Sequence, residues 1–193
     1  MSKLASITGF IVLLFSGCTY SKYPLIDIGK AKPDDNLFGK WVQEKTQREV
    51  FIGRAVADSE ASEFMHVCGI QLDAEKKTVR PECMALYPIV IQGKKYASVP
   101  IPLNVEATSS CKQTFYYIVK YELIGDTLTV WQMNPGRVAE DIDLKRIKGV
   151  ISRKLFWNTV CITDAAAEVA KYIVNTDEEL FPDGLKFVLK RYK

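Results

Sequence analysis

The sequence predicts a mainly β domain, an antiparallel barrel or a strongly curved sheet, with a C-terminal α-helix and a final short strand. From residue 37 onward apolar and polar residues alternate along most segments, the period of half-buried strands. Gly125-Asp126 separates two such runs, as in a tight hairpin. After Thr163 the apolar spacing changes to three and four residues, which indicates an amphipathic helix.

Period-two segments predict the individual strands. Gly125-Asp126 fits a two-residue primed turn with a positive φ at its first position, so residues 113–133 form the clearest hairpin. Pro88 interrupts an apolar run and indicates an edge or bulged strand, because proline donates no ladder hydrogen bond. The other predicted strands cover residues 37–44, 49–57, 63–72, 84–91, 96–103, 154–162 and 185–192.

The C-terminal third is expected to hold the helix. Residues 137–149 are charged and fit either a helical turn or a loop. The main helix is expected to start after Thr163-Asp164 and to end at Asn175. Thr176 then opens a capping-box pattern, which predicts a short second helical turn.

Composition excludes several classes of protein. The 193 residues are 48% hydrophobic and 25% charged, which suits one globular domain and excludes wholesale disorder. The 26 Lys and Arg residues against 23 Asp and Glu are too balanced for an electrostatic nucleic-acid binder. A single histidine argues against a His-rich metal site. We therefore expect no nucleic-acid partner, no metal and no cofactor.

The first residues carry an export signal. Lys3 precedes an apolar stretch over residues 4–15, shorter than the roughly 18 residues that a spanning helix needs, and Ser16-Gly17 leads into Cys18. This resembles the lipobox of bacterial lipoproteins, with Phe15 where leucine is usual. The resemblance implies a lipid thioether on Cys18, cleavage before it, and acylation of the new amine by a chain such as palmitate. The alternative is an ordinary signal peptide with a chance cysteine.

Residue 19 bears on the location. In enteric-type bacteria an aspartate after the lipidated cysteine tends to retain a lipoprotein at the inner membrane, so Thr19 implies the periplasmic face of the outer membrane. We expect residues 1–17 to be a signal peptide, 18–36 a lipid-anchored tether and 37–193 the β-rich periplasmic domain. The tether would reach roughly 60 Å if fully extended.

Four cysteines remain after Cys18: Cys68, Cys83, Cys111 and Cys161. An oxidising compartment makes disulfides the default. Four cysteines allow three pairings, which the sequence does not separate. The chain has no CxxC spacing, so neither a thioredoxin-type pair nor a zinc knuckle is expected.

Gly39-Lys40-Trp41 opens the first predicted strand of the domain. Together with the layout of strands, helix and final strand, this triplet resembles the lipocalin arrangement. The resemblance implies that Trp41 plugs the closed end of a barrel beside an arginine from a late strand, either Arg153 or Arg191. The alternative is an independent barrel-like or open-sheet domain.

A non-catalytic binding module is the first functional expectation. Inward-facing aromatic residues of a barrel either line a pocket for a lipid or another apolar ligand, or simply fill the core. The residues in question are Phe64, Tyr117, Tyr121 and Trp157. The alternative is an envelope structural or assembly protein that contacts a protein partner.

Catalysis is not expected. The chain has no G-x-S-x-G elbow, HExxH helix or phosphate-binding glycine loop. His66 and Cys68 share one face of a predicted strand and form the single pair that resembles an activated nucleophile. Two acidic clusters, at residues 140–143 and 177–179, are expected at the surface or at helix starts.

Overall fold

The computed structural model describes residues 19–54, 65–73, 78–101, 114–153 and 158–192. Within them lie eleven strands and two α-helices. The strands are β1 Thr19–Ser21, β2 Gly39–Gln43, β3 Arg48–Arg54, β4 Met65–Asp73, β5 Thr78–Ile91, β6 Lys94–Pro100, β7 Tyr116–Ile124, β8 Thr127–Gln132, β9 Gly149–Arg153, β10 Asn158–Ile162 and β11 Lys186–Arg191. The helices are α1 Pro135–Asp143 and α2 Ala166–Leu180.

Eight strands close into an antiparallel barrel. Strands β2 to β8 pair in chain order, and β11 pairs with both β8 and β2. The predicted fold class is therefore confirmed, in its closed form. The final short strand is the eighth strand of the barrel, so closure comes after the two helices in the chain.

Strand β5 differs from the sequence prediction. It pairs with β4 up to Leu86 and with β6 from Tyr87 onward, so it is not an edge strand. Pro88 pairs with Ala97 of β6, past the last described pair of β4. The missing N–H of the proline therefore removes no bond from the described β4 ladder.

The face of β4 that carries His66 and Cys68 points outward. Met65 is buried and Val67 borders the cavity inside the barrel, whereas His66, Cys68 and Ile70 alternate with them on the outer surface. Both sets of residues are largely apolar, so the strand pattern alone does not decide which set faces inward. The partners on β3 and β5 decide it.

The segment that was expected as a tether lies against the barrel. Strand β1 runs parallel to β10 and meets β7 at Ser21. Leu25 is buried, and its amide donates to Ser98 Oγ over 2.9 Å. Leu37 is buried in the barrel core, just before β2. Residues 19–37 are thus part of the folded domain.

Both helices pack outside the barrel. Asn134 caps α1 by accepting the amides of Gly136 and Arg137 at 3.0 and 3.3 Å. The undecided region, residues 137–149, is therefore helical as far as Asp143 and continues as a turn up to β9. Helix α2 begins at Ala166 and is interrupted at Thr176, where φ is −134°, as the sequence predicts. The buried apolar residues of both helices form one cluster with Tyr96 of β6, Ile118 of β7 and two residues of β10, Val160 and Ile162.

Candidate functional site

The barrel interior is an apolar core around a small cavity. Its volume is about 70 Å³, and its walls come from Leu37 and from seven of the eight barrel strands. Binding pockets for small molecules usually measure 300–1,000 Å³, and an engineered cavity of about 150 Å³ holds benzene. The interior is therefore too small for a lipid in the arrangement described.

The predicted pocket residues divide into three groups. Tyr121 faces inward and lines the cavity. Tyr117 belongs to the same core, but its ring packs on Tyr20 with centroids 5.2 Å apart and does not border the cavity. Phe64 and Trp157 lie outside the described residues.

The structure describes three of the five cysteines. Cys68 and Cys83 face each other across β4 and β5 and form a disulfide, with Cα atoms 4.1 Å apart. The Cys68 sulfur is thus in a covalent bond and is not the thiolate that a pairing with His66 requires. Cys161 is buried in the barrel core. Cys18 and Cys111 lie outside the described residues.

Trp41 is fully buried near one end of the barrel, and its Nε1 donates to the carbonyl oxygen of Leu37 over 2.8 Å. Of the two arginines considered for its partner, Arg191 is the one that lies over the indole ring. Residues 34–38 cross this end of the barrel, which we call the rim. The rim also includes the β5–β6 hairpin and the β7–β8 hairpin.

A carboxylate joins the crossing segment to the rim. Asp34 Oδ2 accepts hydrogen bonds from Lys95 Nζ at 2.8 Å and from the hydroxyl of Tyr121 at 3.1 Å, and Oδ1 accepts from Asn36 at 3.0 Å. Partial burial raises the pKa of the Asp34 carboxyl, but these bonds and the Lys95 charge outweigh it and hold the pKa below its ordinary value. Burial, and then the Asp34 charge, raise the pKa of Tyr121.

An open groove lies beside this carboxylate at the rim. We define the rim groove by its lining residues: Ile26, Lys30, Lys32, Pro33, Asp34, Pro88, Ile89, Val90, Lys95 and Tyr121. Its volume is about 380 Å³. Tyr121 lines both the rim groove and the interior cavity, so this side chain borders the two spaces.

Two acidic residues that were expected at the surface are buried. Asp141 of α1 accepts from Arg137, Arg146 and the Tyr172 hydroxyl at 2.8–2.9 Å. This network joins α1 to α2, so we assign it a structural role. The i, i+4 spacing of Arg137 and Asp141 hints at the pair, but the contact with Tyr172 arises from tertiary packing.

The second buried acid, Asp177 of α2, accepts from Lys94 Nζ at 2.7 Å, Lys120 Nζ at 2.6 Å and the Tyr96 hydroxyl at 2.5 Å. Each of these donors lies on β6 or β7, so the carboxylate fastens α2 to the barrel wall. Burial raises the pKa of Asp177, but the three donors hold it below its ordinary value. Its oxygens are satisfied within the protein and offer little to a ligand.

In the described ranges, no group of three or more His, Cys, Asp or Glu residues is placed to hold a metal ion. No helix in the same ranges is both long and apolar enough to cross a membrane. Comparison of the chain with protein-family models, with curated proteins and with solved structures finds no match.

Proposed function

We propose that this chain is a lipoprotein, anchored through Cys18 to the periplasmic face of the outer membrane, and that its barrel domain is a non-catalytic module that binds an apolar ligand. The export signal supports the anchor. Thr19, one residue after Cys18, is buried and pairs with Val160, so a mature chain that starts at Cys18 would carry its anchor directly beside the folded domain.

The rim groove is the observation that carries the binding function. Its volume of about 380 Å³ lies within the usual range for small-molecule sites, whereas the interior cavity does not. Apolar side chains from two separate parts of the chain, Ile26 with Pro33 and Val90 on β5, line the same space. A rigid barrel wall under one side of the groove keeps this surface formed without a ligand.

Native mass spectrometry tests the binding function. Residues 19–193 would be exported to a periplasm and purified without detergent, and part of the sample would be incubated with an envelope lipid extract. We expect extra mass that leaves on denaturation. A bare mass in both samples would contradict the proposal.

Fractionation of cells tests the anchor. We expect the native chain to incorporate labelled palmitate and to sediment with outer membranes, and Cys18→Ala to do neither. A native chain that stays in the soluble periplasm without label would contradict the anchor and leave the binding test unaffected.

An assembly role is the second candidate, favoured by an outward-facing aromatic surface. Phe51 and Tyr192 are exposed, and Lys40 Nζ lies 5.8 and 4.1 Å from their ring centroids. A photo-crosslinking amino acid at residue 51 tests this role in cells, with exposed residue 44 as the control site. One discrete protein adduct at residue 51 alone would favour assembly over ligand binding.

A further inference from the structure

We propose that the rim groove binds an anionic amphiphile with a single acyl chain, whose head group lies at Lys30, Lys32 and Lys95 and whose acyl chain lies along Ile26, Pro33 and Val90. This rests on the proposed function and names the class of ligand. It also excludes the barrel interior as the binding site of the acyl chain.

The charges of the groove favour an anion. Three lysines and one acid line it, and that acid, Asp34, is already bonded to Lys95, Tyr121 and Asn36. Outside the lining, Asp27 approaches Lys30 at 3.7 Å, but both side chains are mostly exposed, so water screens the pair. Within the described chain, Lys32 has no acidic partner. The excess of positive charge is therefore open to a ligand.

Lys95 is placed to hold the head group. An ammonium group has three donors, and the described residues use one of them, on Asp34. The Lys95 side chain is 36% exposed and lines the groove, so its remaining donors are accessible from solvent. The Asp34 side chain shows that a carboxylate fits beside Lys95, because the Lys95 ammonium and the Tyr121 hydroxyl both donate to it. A second anion in the groove would share the same ammonium group.

The apolar wall requires a ligand with a hydrocarbon part. Val90 is 62% exposed, and Ile89, Pro33 and Ile26 border the same space. A small inorganic anion would leave this wall in water. The interior cavity of about 70 Å³ has no room for a long acyl chain. The acyl chain therefore lies along the groove and not inside the barrel.

Calorimetry with four probes of equal chain length tests the ligand class on residues 19–193, the span that contains every described element. The probes are dodecanoate, dodecyl phosphate, dodecyl maltoside and dodecyltrimethylammonium, each below its micelle concentration. We expect both anions to bind about tenfold or more tightly than the neutral and cationic probes. The ratio between the two anions then distinguishes a fatty acid from a single-chain phospholipid as the source of the ligand.

Exposed positions provide the variants, so folding is not at stake. Lys30→Gln/Lys32→Gln is expected to weaken the anions about tenfold and to leave dodecyl maltoside unchanged. Val90→Ser is expected to weaken every probe. The matched controls are Lys171→Gln and Ile124→Ser, which replace an exposed lysine and an exposed apolar residue outside the groove. Neither control is expected to change binding.

The outcomes separate this inference from the proposed function. A ligand in the native mass spectrum that none of the groove variants affects would overturn the groove and leave the binding module standing. Equal affinity for all four probes would overturn the choice of an anion. Controls that weaken binding as much as the groove variants would also overturn the site. A bare native mass with no binding of any probe would reject both proposals.

Discussion

The guanidinium carbon of Arg191 lies 4.4 Å from the centroid of the Trp41 ring. The two residues are direct partners in the β2–β11 ladder, and Arg191 also donates to the carbonyl oxygens of Phe38 and Asn36. One cation therefore covers the buried indole and holds the segment that crosses the rim. It joins the first strand of the barrel to the last.

Replacing this arginine by lysine should weaken closure of the barrel. Lysine keeps the charge but loses the planar stack and the fork of donors, so we expect Arg191→Lys to lower the free energy of unfolding by about 1–3 kcal/mol. Urea unfolding of the native protein and of the variant measures this difference in free energy. The control is Arg54→Lys, because Arg54 lies over Phe38 at 5.7 Å but is exposed, and its loss should stay below about 0.5 kcal/mol. Equal losses in the two variants would contradict this account.

Gly149 should tolerate no side chain. A Cβ there would collide with the Ile142 side chain and lie 2.7 Å from the carbonyl oxygen of Cys161, so Gly149→Ala should lower the unfolding free energy by about 1–3 kcal/mol. The matched control is Gly53→Ala on β3, where a Cβ meets nothing within 4 Å. Thermal unfolding compares the stability of the two variants. A Gly149→Ala protein as stable as the control would contradict the close contact between Gly149 and its neighbours Ile142 and Cys161.

The disulfide should stabilise the domain measurably. Cys68 and Cys83 are 15 residues apart, and a crosslink of that span contributes about 3 kcal/mol when it restricts the unfolded chain. We expect Cys68→Ala/Cys83→Ala to lose about 2–4 kcal/mol against the native protein without reductant. A double variant with native stability would show that the pair does not form in the folded protein.

Acid should loosen α2 from the barrel. The pKa of Asp177 is lower in the folded protein than the value of about 3.9 expected when unfolded. Its contribution to stability is therefore fully present above the unfolded value and is lost as the pH falls through the folded pKa. We expect the difference in unfolding free energy between pH 7 and pH 3 to shrink in Asp177→Asn.

The control for this pH dependence is Glu178→Gln, an exposed neighbour on α2. Asp34 and Asp141 also have lowered pKa values, so Asp177→Asn should keep part of the acid sensitivity. An unchanged pH dependence in Asp177→Asn, or an equal change in Glu178→Gln, would contradict the assignment to Asp177.

Strand β1 should be required for stability. A chain that begins at Pro24 lacks the partner of β10 and the buried side chains of Thr19 and Ser21. We expect it to unfold in less urea than a chain that begins at Thr19, with a loss of at least about 2 kcal/mol from buried area and lost pairing. Equal midpoints would show that residues 19–23 are dispensable to the fold.

Local patterns in the sequence predict the local structure well. The Gly125-Asp126 turn is present, with φ of +56° at Gly125. It could be predicted because few residues other than glycine suit that position. The interruption of α2 comes at the predicted residue, Thr176, whose hydroxyl donates back to the carbonyl oxygen of Tyr172 in the preceding turn. Both features depend on neighbours in sequence.

Features set by distant contacts were harder to predict. The inward face of β4 depends on its partner strands. The packing of residues 19–37 depends on Ser98, Lys95 and Tyr121, which come more than 50 residues later. A segment rich in proline, glycine and aspartate is typical of a linker, and only these partners turn it into part of the domain. The rim groove was missed for the same reason, since its two walls are far apart in sequence.

The position of β11 also sets the order in which this protein can fold. Arg191 meets Phe38 across 153 residues of sequence, so β2 and β8 each lack a neighbour until the eighth strand arrives. The folding chain would pass through a stage with two open sheet edges, which are templates for aggregation. Such long-range pairing is slow. Closure of the barrel therefore depends on its last strand, and both sheet edges stay open to other chains until β11 has paired.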